Sequence, residues 1–444
     1  RPRYAPRQDG GFLNDAETGV IVPLGIALTL LTTLVVWLSG RVLFGPRTAL
    51  LAAGAYAVAD LTLSTAISGL PTPAAALAAT LALLLAVLAA RRSSATEGGW
   101  GVAALTAASA LCAAAAILAD HALLVAAVGA AVLLGVELQR RRWLMLPLFL
   151  LVLALALLPW VMHNRAAGIG ALGALPYTAL RETPLFPADS LERSTAPVFN
   201  VYRAAAAVRQ GFAGRVMALA DGGGFARGGV MFCFFLVALF HRYEQSACRT
   251  LKAITLLMLA TMALLPVVPG TGSVGAWTAL YPLVVLFGMS AFTDFLDREE
   301  TFDTGMKPLL TALLLVLCML PAGLRMLRGP AAAYPPYHGP IQQFAAGIPE
   351  AGQILLTDIP WATAWYGGGT SVLLPVHPDE VAVLPGGWAA VGGLYLTSAV
   401  AGRGDSPWTL MRIGGQVPES VPFTHGVNLP VGRRDQLLLT RGER

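Results

Sequence analysis

Few side chains of this 444-residue chain carry chemistry within apolar surroundings, so each one is informative. Asp60 lies inside the run Tyr56-Ala57-Val58-Ala59-Asp60-Leu61. A carboxylate in such a run is costly and points by default to a functional site. It falls near the outer end of its apolar block, so it reads either as an interfacial carboxylate reached by water or as part of a polar site. Asp120-His121 pairs two residue types that ligate divalent ions. Adjacent residues rarely converge on one ion, and a plain turn with a helix cap is the simpler reading. His163-Asn164-Arg165 follows Trp160 at the end of another apolar block. The group is either an aromatic-belt anchor or, through the Arg165 fork, a holder of a lipid-phosphate oxygen. Val198 to Leu219 has the pattern of an amphipathic helix bearing Arg203, Arg209 and Arg215. These arginines either snorkel at an interface or face a lipid phosphate. Asp60, Asp120, His121, His163, Arg165, Arg203, Arg209 and Arg215 form the candidate substrate-binding set. No residue is assigned a catalytic role. No His pair has zinc spacing, and no Ser, His and Asp set can be assembled.

A second motif is Asp358-Ile359-Pro360-Trp361-Ala362-Thr363-Ala364-Trp365-Tyr366 followed by three glycines. A strand ending in Asp, then an aromatic helix, describes a crevice at a strand's carboxyl end, where Trp and Tyr faces stack on sugars. The simpler reading takes Trp361, Trp365 and Tyr366 as largely buried packing residues, and that is the expectation adopted. Gly367 to Gly369 lacks the order of a phosphate-binding loop.

The elements that position these groups are membrane spans. The chain is 56% hydrophobic and only 12% charged, and a span needs roughly 20 apolar residues to cross about 30 Å of hydrocarbon. Ten blocks qualify, at about 20–43, 47–67, 72–90, 100–119, 121–138, 143–162, 228–243, 250–268, 274–295 and 306–326. The net charge of +5 comes from Arg at block ends and is no nucleic-acid signature. Cys112, Cys233, Cys248 and Cys318 lie in or beside apolar blocks, which argues against a disulfide framework.

Arg-bearing connections near Arg47, Arg92, Arg141 and Arg249 fall on one side if the spans alternate, and that side is cytoplasmic. Residues 1–19, the loop 163–227 and residues 328–444 then lie outside. Both termini are external, and one further span upstream would make that arrangement ordinary. After Pro330, apolar runs shorten to strand length. Strands are expected near 353–358, 371–374, 381–384 and 393–397, with short helices near 341–346 and 361–366. The expected fold is an α-helical polytopic membrane protein of about ten transmembrane helices, residues 20–327, with a small C-terminal extracytoplasmic α/β domain.

Two passages resemble the GT-C superfamily of membrane glycosyltransferases, which includes protein O-mannosyltransferases and aminoarabinose transferases. One is the span from Leu28 through Gly40-Arg41-Val42-Leu43-Phe44-Gly45, followed by a small-residue helix. The other is the exit Leu158-Pro159-Trp160 to Asn164. The resemblance implies transfer of a sugar from a polyprenyl-phosphate carrier to an acceptor on the outer face. It also implies a carboxylate in the first outer loop acting as base or positioning a divalent metal, and membrane lipid as a partner. The chain departs from the pattern. The first outer loop, which carries paired acidic residues in the family, would lie upstream of Arg1. Asp9, Asp15 and Glu17 sit too close to the first visible span to match it, and Ser68 to Pro73 carries neither Arg nor acid. The alternative is therefore a catalytically inactive GT-C-derived subunit, held with other membrane subunits in a larger complex. The expected location is the bacterial inner membrane.

Overall fold

A computed structural model of the chain describes residues 4–6, 12–14, 16–95, 99–139, 141–167, 171, 229–264, 274–298, 305–328, 339–375, 377–397, 400, 407–414, 417–418, 420–423, 425–431 and 433–440. The expected helix at 198–219, with Arg203, Arg209 and Arg215, lies outside the described residues. The chain divides into two compact units. One comprises 20–179 and 205–330, the other 1–19, 180–204 and 331–444.

The first unit is a helical membrane body. Its helices are α1 (Val22–Leu43), α2 (Pro46–Val58), α3 (Asp60–Ala66), α4 (Thr72–Ala95), α5 (Gly99–Ala119), α6 (Leu124–Glu137), α7 (Arg142–Ala166), α8 (Gly229–Phe240), α9 (Ser246–Leu264), α10 (Val274–Arg298) and α11 (Met306–Arg328). Among the described residues, six helices are long and apolar enough to cross a membrane, and seven when α2 and α3 count as one bent span. His121–Glu137 and Gly229–Phe240 are shorter apolar helices. The protein is thus an integral multi-pass membrane protein, with a smaller set of clear spans than the ten expected.

Small residues hold these helices together, as packing without a hydrophobic driving force requires. A Cβ on Gly40 would come within 2.6 Å of the Ala49 Cα, so α1 and α2 touch backbone to backbone. A Cβ on Gly288 of α10 would meet the Met231 carbonyl of α8 at 2.5 Å. Between α4 and α5, Ser109 Oγ donates to the Ala82 carbonyl at 2.7 Å. Helix α10 runs through the middle, and Leu280, Val284, Val285, Leu286, Phe287 and Met289 are fully enclosed. Helices α7 and α11 instead expose leucines such as Leu151 and Leu313, as lipid-facing helices do.

The second unit is built on a five-stranded mixed sheet in the order β4-β3-β5-β7-β6. Its strands are β3 (Ile354–Thr357), β4 (Ser371–Leu373), β5 (Val391–Leu396), β6 (His425–Val431) and β7 (Arg433–Thr440). A separate antiparallel pair joins β1 (Tyr4–Pro6) to β2 (Phe12–Asn14). Strand β3 pairs parallel with both β4 and β5, while β7 runs antiparallel to β5 and β6. The parallel pairing needs crossovers, and helix α13 (Pro360–Gly367) supplies the one from β3 to β4. Side chains alternate between the faces. Leu356, Leu394 and Leu396 pack with Trp408 and Phe423 on one side. Leu355 and Tyr395 pack on the other with Ala345, from α12 (Gly339–Ala346), and Tyr366. Trp408, on α14 (Pro407–Gly414), is fully buried, and its indole donates to the Pro375 carbonyl at 2.7 Å.

Two expectations are corrected here. Val381 to Leu384 is no strand, because Pro378–Val383 forms a 3-10 helix with Pro at its start and Asp379 and Glu380 in its first turn. Those are helix-start signals. Trp361 and Trp365 are also not buried. They remain 47% and 43% exposed, and only Tyr366 goes under, at 6%.

Candidate functional site

The sharpest break in the membrane unit lies between α2 and α3. Ala59 is extended, with φ −64° and ψ 137°, and the two helix axes differ by 58°. Interrupted helices at membrane depth are tolerated where the freed backbone lines protein or a polar cavity. Asp60 opens α3, in the first turn where a carboxylate meets the positive end of the helix dipole. It is 1% exposed, so the carboxylate itself is enclosed by protein. Arg325 of α11 supplies its partner. The Arg325 Nη2 donates to Asp60 Oδ1 and also to the Asp60 carbonyl at 3.2 Å. A buried carboxylate is tolerable only when paired. The guanidinium is 44% exposed and can offer donors away from Asp60.

Arg325 was not singled out from the sequence. The signal for it was present. It sits near the far end of the last span, on the side where the positive-inside pattern expects few arginines.

On the opposite face of α3, by helical spacing, Thr62 and Thr65 line a narrow cleft too tight to hold a water molecule. Thr29 of α1, Tyr56 of α2, Thr72 of α4, and Thr278 and Tyr281 of α10 complete its polar lining. The two tyrosine rings lie 6.1 Å apart. Several hydroxyl protons are already committed. Thr29 Oγ1 donates to the Gly25 carbonyl at 2.8 Å and Thr65 Oγ1 to the Leu61 carbonyl at 2.9 Å. Such back-bonding leaves lone pairs turned outward as acceptors. Helices α1 and α3 meet closely beside the cleft, since a Cβ on Gly25 would lie 2.3 Å from the Ala66 carbonyl.

The remaining candidates of the described residues gather at the α5–α6 turn. Asp120 caps the short 3-10 turn His121–Leu123, with Oδ1 accepting from the Ala122 N–H at 3.0 Å. That is the capping role. Burial raises its pKa above the usual carboxylate range, against the Ala122 hydrogen bond and the nearby His121. The His121 ring lies 5.3 Å from Trp160. His163 and Arg165 are exposed on the last turn of α7, while Asn164 between them is 5% exposed. Asn164 Nδ2 and His121 Nε2 are buried without hydrogen-bond partners. Among the described residues, no hydrogen bond or ion pair joins Asp60 to Asp120, His121, His163 or Arg165. Asp120, His121 and the end of α7 thus form a second polar group, with no direct bond to Asp60 among the described residues.

In the sheet unit, Asp358 follows β3 and is fully buried. Both its oxygens accept from the Thr397 N–H at 3.1 Å, and Oδ2 accepts from Thr397 Oγ1 at 2.7 Å. The carboxylate ties the ends of β3 and β5 together and leaves no open crevice around itself. Burial raises its pKa, and the Thr397 hydrogen bonds oppose the rise. Trp365 Nε1 and Tyr366 Oη both donate to Glu17 Oε1, at 2.8 and 2.9 Å.

Against solved structures, the chain superposes on the oligosaccharyltransferase AglB of Archaeoglobus fulgidus, in complex with an inhibitory peptide and a dolichol-phosphate. The TM-score is 0.53 at 10% identity, over 92% of this chain and 61% of that one. The apo form of the Archaeoglobus fulgidus oligosaccharyltransferase gives 0.53 at 11% identity, over 92% and 62%. This chain has the GT-C fold. ArnT from Cupriavidus metallidurans bound to undecaprenyl phosphate aligns over 95% of this chain and 85% of that one, at 14% identity. Its TM-score of 0.38 carries no argument. No family model and no curated protein matches the sequence. The chain spans about three fifths of the length of the archaeal structures it matches.

A divalent ion is implied by the GT-C resemblance. The described residues do not fit one. They contain no group of three or more His, Cys, Asp or Glu able to hold an ion, and the Asp60 carboxylate already faces a guanidinium.

Proposed function

We propose that this GT-C chain transfers a sugar from a polyprenyl-phosphate carrier to an acceptor on the outer face of a bacterial inner membrane. In this reading the helices form about ten spans, and residues 328–444 stand outside as an α/β domain. The observation that carries the proposal is the Asp60–Arg325 pair at a broken span, backed by the hydroxyl cleft on the other face of the same short helix. Fold alone does not give function, but a purely structural span has no need of a buried carboxylate.

The chemistry divides by charge. In the transfer, the bond between the sugar's anomeric carbon and the carrier phosphate breaks. A new bond forms to the acceptor, whose proton passes to the departing polyprenyl phosphate, which leaves as a monoanion. The half-exposed Arg325 guanidinium suits that developing charge, and Asp60 holds it in place. Of the sequence candidates, Asp60 belongs to this site. Asp120, His121, His163 and Arg165 belong to the other polar group, and Arg203, Arg209 and Arg215 stay as proposed lipid-phosphate contacts.

The test is sugar transfer in proteoliposomes from a radiolabelled undecaprenyl-phosphate sugar. Arg325→Gln is expected to lower transfer about 100-fold, in line with loss of a charge-stabilising donor, with Arg325→Lys recovering part of it. Equal transfer by the wild type and Arg325→Gln would overturn the assignment. The second reading is a catalytically inactive subunit of a larger membrane complex. What favours it is that the cleft has no room for a water-sized sphere. It predicts no transfer by the wild type and stoichiometric co-purification with other membrane chains.

A further inference from the structure

A second cavity, of about 520 Å³, runs between α6 and α7, away from the helices that line the cleft. Leu124, Val128, Val132 and Val136 form one wall, and Leu150 and Leu153 stand on the other. The α6 wall runs over thirteen residues, Leu124 to Val136, or about 18 Å of helix. One leaflet of hydrocarbon is about 15 Å deep, so the groove is as long as one acyl chain's share of the bilayer. The far longer chain of a polyprenyl carrier would overrun it.

Polar groups lie beyond the Leu124 end of the groove, outside its apolar lining. His121 lies one turn before Leu124. On α7, the wall positions 146, 149, 150 and 153 continue at helical spacing to 157, 160 and 164. Trp160 and Asn164 therefore prolong the same stripe. The two buried nitrogens without partners, His121 Nε2 and Asn164 Nδ2, both belong to this end. Asn164 Nδ2 is a donor, and so is His121 Nε2 in its Nε2–H tautomer. An apolar groove closed by donors and an indole ring matches an amphiphile with an acceptor-rich head.

We propose that the α6–α7 groove holds one acyl chain of a membrane glycerophospholipid, whose phosphate oxygens accept hydrogen bonds from His121 and Asn164. His121 is only partly buried, so its ring can turn to the mouth of the groove. Arg165, exposed on the same turn of α7, adds positive charge nearby. Among the described residues, the acidic group beside His121 is the Asp120 carboxyl. Its Oδ1 is occupied by the Ala122 N–H, and burial favours its neutral form. The site is separate from the carrier's route past Arg325 and does not depend on the transferase reading.

The experiment is native mass spectrometry of the full chain in mild detergent, with added palmitoyl-oleoyl phosphatidylglycerol. Two variants are compared with the wild type. His121→Phe with Asn164→Leu removes the donors and keeps the bulk. Gly135→Leu fills the groove from a position where a Cβ meets open space, so the fold tolerates it. Each is expected to retain at least fivefold less phospholipid, with the melting temperature of Gly135→Leu near that of the wild type. Dioleoylglycerol, which has no phosphate, is expected to bind the wild type and the donor variant equally weakly. Unchanged retention in both variants overturns the proposal. So does displacement of the phospholipid by equimolar undecaprenyl phosphate, which would make the groove a carrier site. Disulfide trapping of a second copy through Val132→Cys would also overturn it, by showing that protein covers the groove.

Discussion

Two buried aspartates, one in each unit, solve the same problem by different means. Asp358 is enclosed at the end of β3 and is satisfied by neutral donors, the Thr397 N–H and hydroxyl. Asp60 is enclosed at the start of α3 and is satisfied by a guanidinium. A sheet brings unused backbone donors to the end of a strand, so a carboxyl can be held there in either protonation state. A helix in hydrocarbon leaves only its first-turn N–H groups free, and at the start of α3 a guanidinium adds a counter-charge to what those donors and the dipole supply. A structural carboxyl therefore settles at a strand end, and a charged pair in a span marks a place where charge is used.

The largest expected effect comes from breaking the membrane pair. Arg325→Leu leaves Asp60 without its counter-charge and should destabilise the membrane unit by about 3 kcal/mol, the low end of the range for buried pairs because Arg325 is half exposed. The double variant Asp60→Leu with Arg325→Leu should recover most of that, because an apolar pair of similar volume is often neutral. Thermal unfolding in detergent reads both. A double variant as unstable as the single one would show that the pair is not the unit of stability.

Asp358→Ala should cost about 2 kcal/mol, because the buried Thr397 N–H and hydroxyl lose their carboxylate acceptor. Asp358→Asn should cost roughly half as much. Protection of the Thr397 amide in hydrogen exchange reports both. The pH dependence sharpens the contrast. The folded pKa of Asp358 is raised, so the stability contributed by its protonated form is complete below the unfolded value. It is lost as pH rises through the folded value. The advantage of the wild type over Asp358→Asn should therefore shrink on going up from about pH 4. An advantage that grows with pH would mean that the hydrogen bonds to Thr397 outweigh burial.

The smallest effect is expected at the aromatic pair on α13. Trp365→Phe removes one of the two hydrogen bonds to Glu17 and should cost about 1 kcal/mol, since the ring itself is 43% exposed. A loss of several kcal/mol in the melting profile would restore the packing role assigned to Trp365 from the sequence.

The helices were legible because uninterrupted apolar runs have few other solutions. The break at Asp120-His121 was legible too, and α5 ends at Ala119. What pattern could not supply was partnership. Asp60 and Arg325 are 265 residues apart, and no local rule joins them. In the sheet unit, β6 and β7 were missed for a local reason. Pro430 and Gly432 read as loop, but the pairing shifts register between Leu429 and Val431, and a bulge accommodates the proline. The aromatic helix was placed correctly and rotated wrongly. Ala362, Thr363 and Tyr366 turn inward, one position out of phase with Trp361 and Trp365.

The bend at Ala59 also bears on the bilayer itself. Straight, the 13 residues of α2 and the 7 of α3 would reach about 30 Å. With α2 along the bilayer normal and α3 tilted 58° from it, the reach falls to about 25 Å. A span that short is matched by local thinning of the membrane. Headgroups and water would then dip towards Asp60 and the hydroxyl cleft, shortening the climb that any polar molecule must make to arrive there.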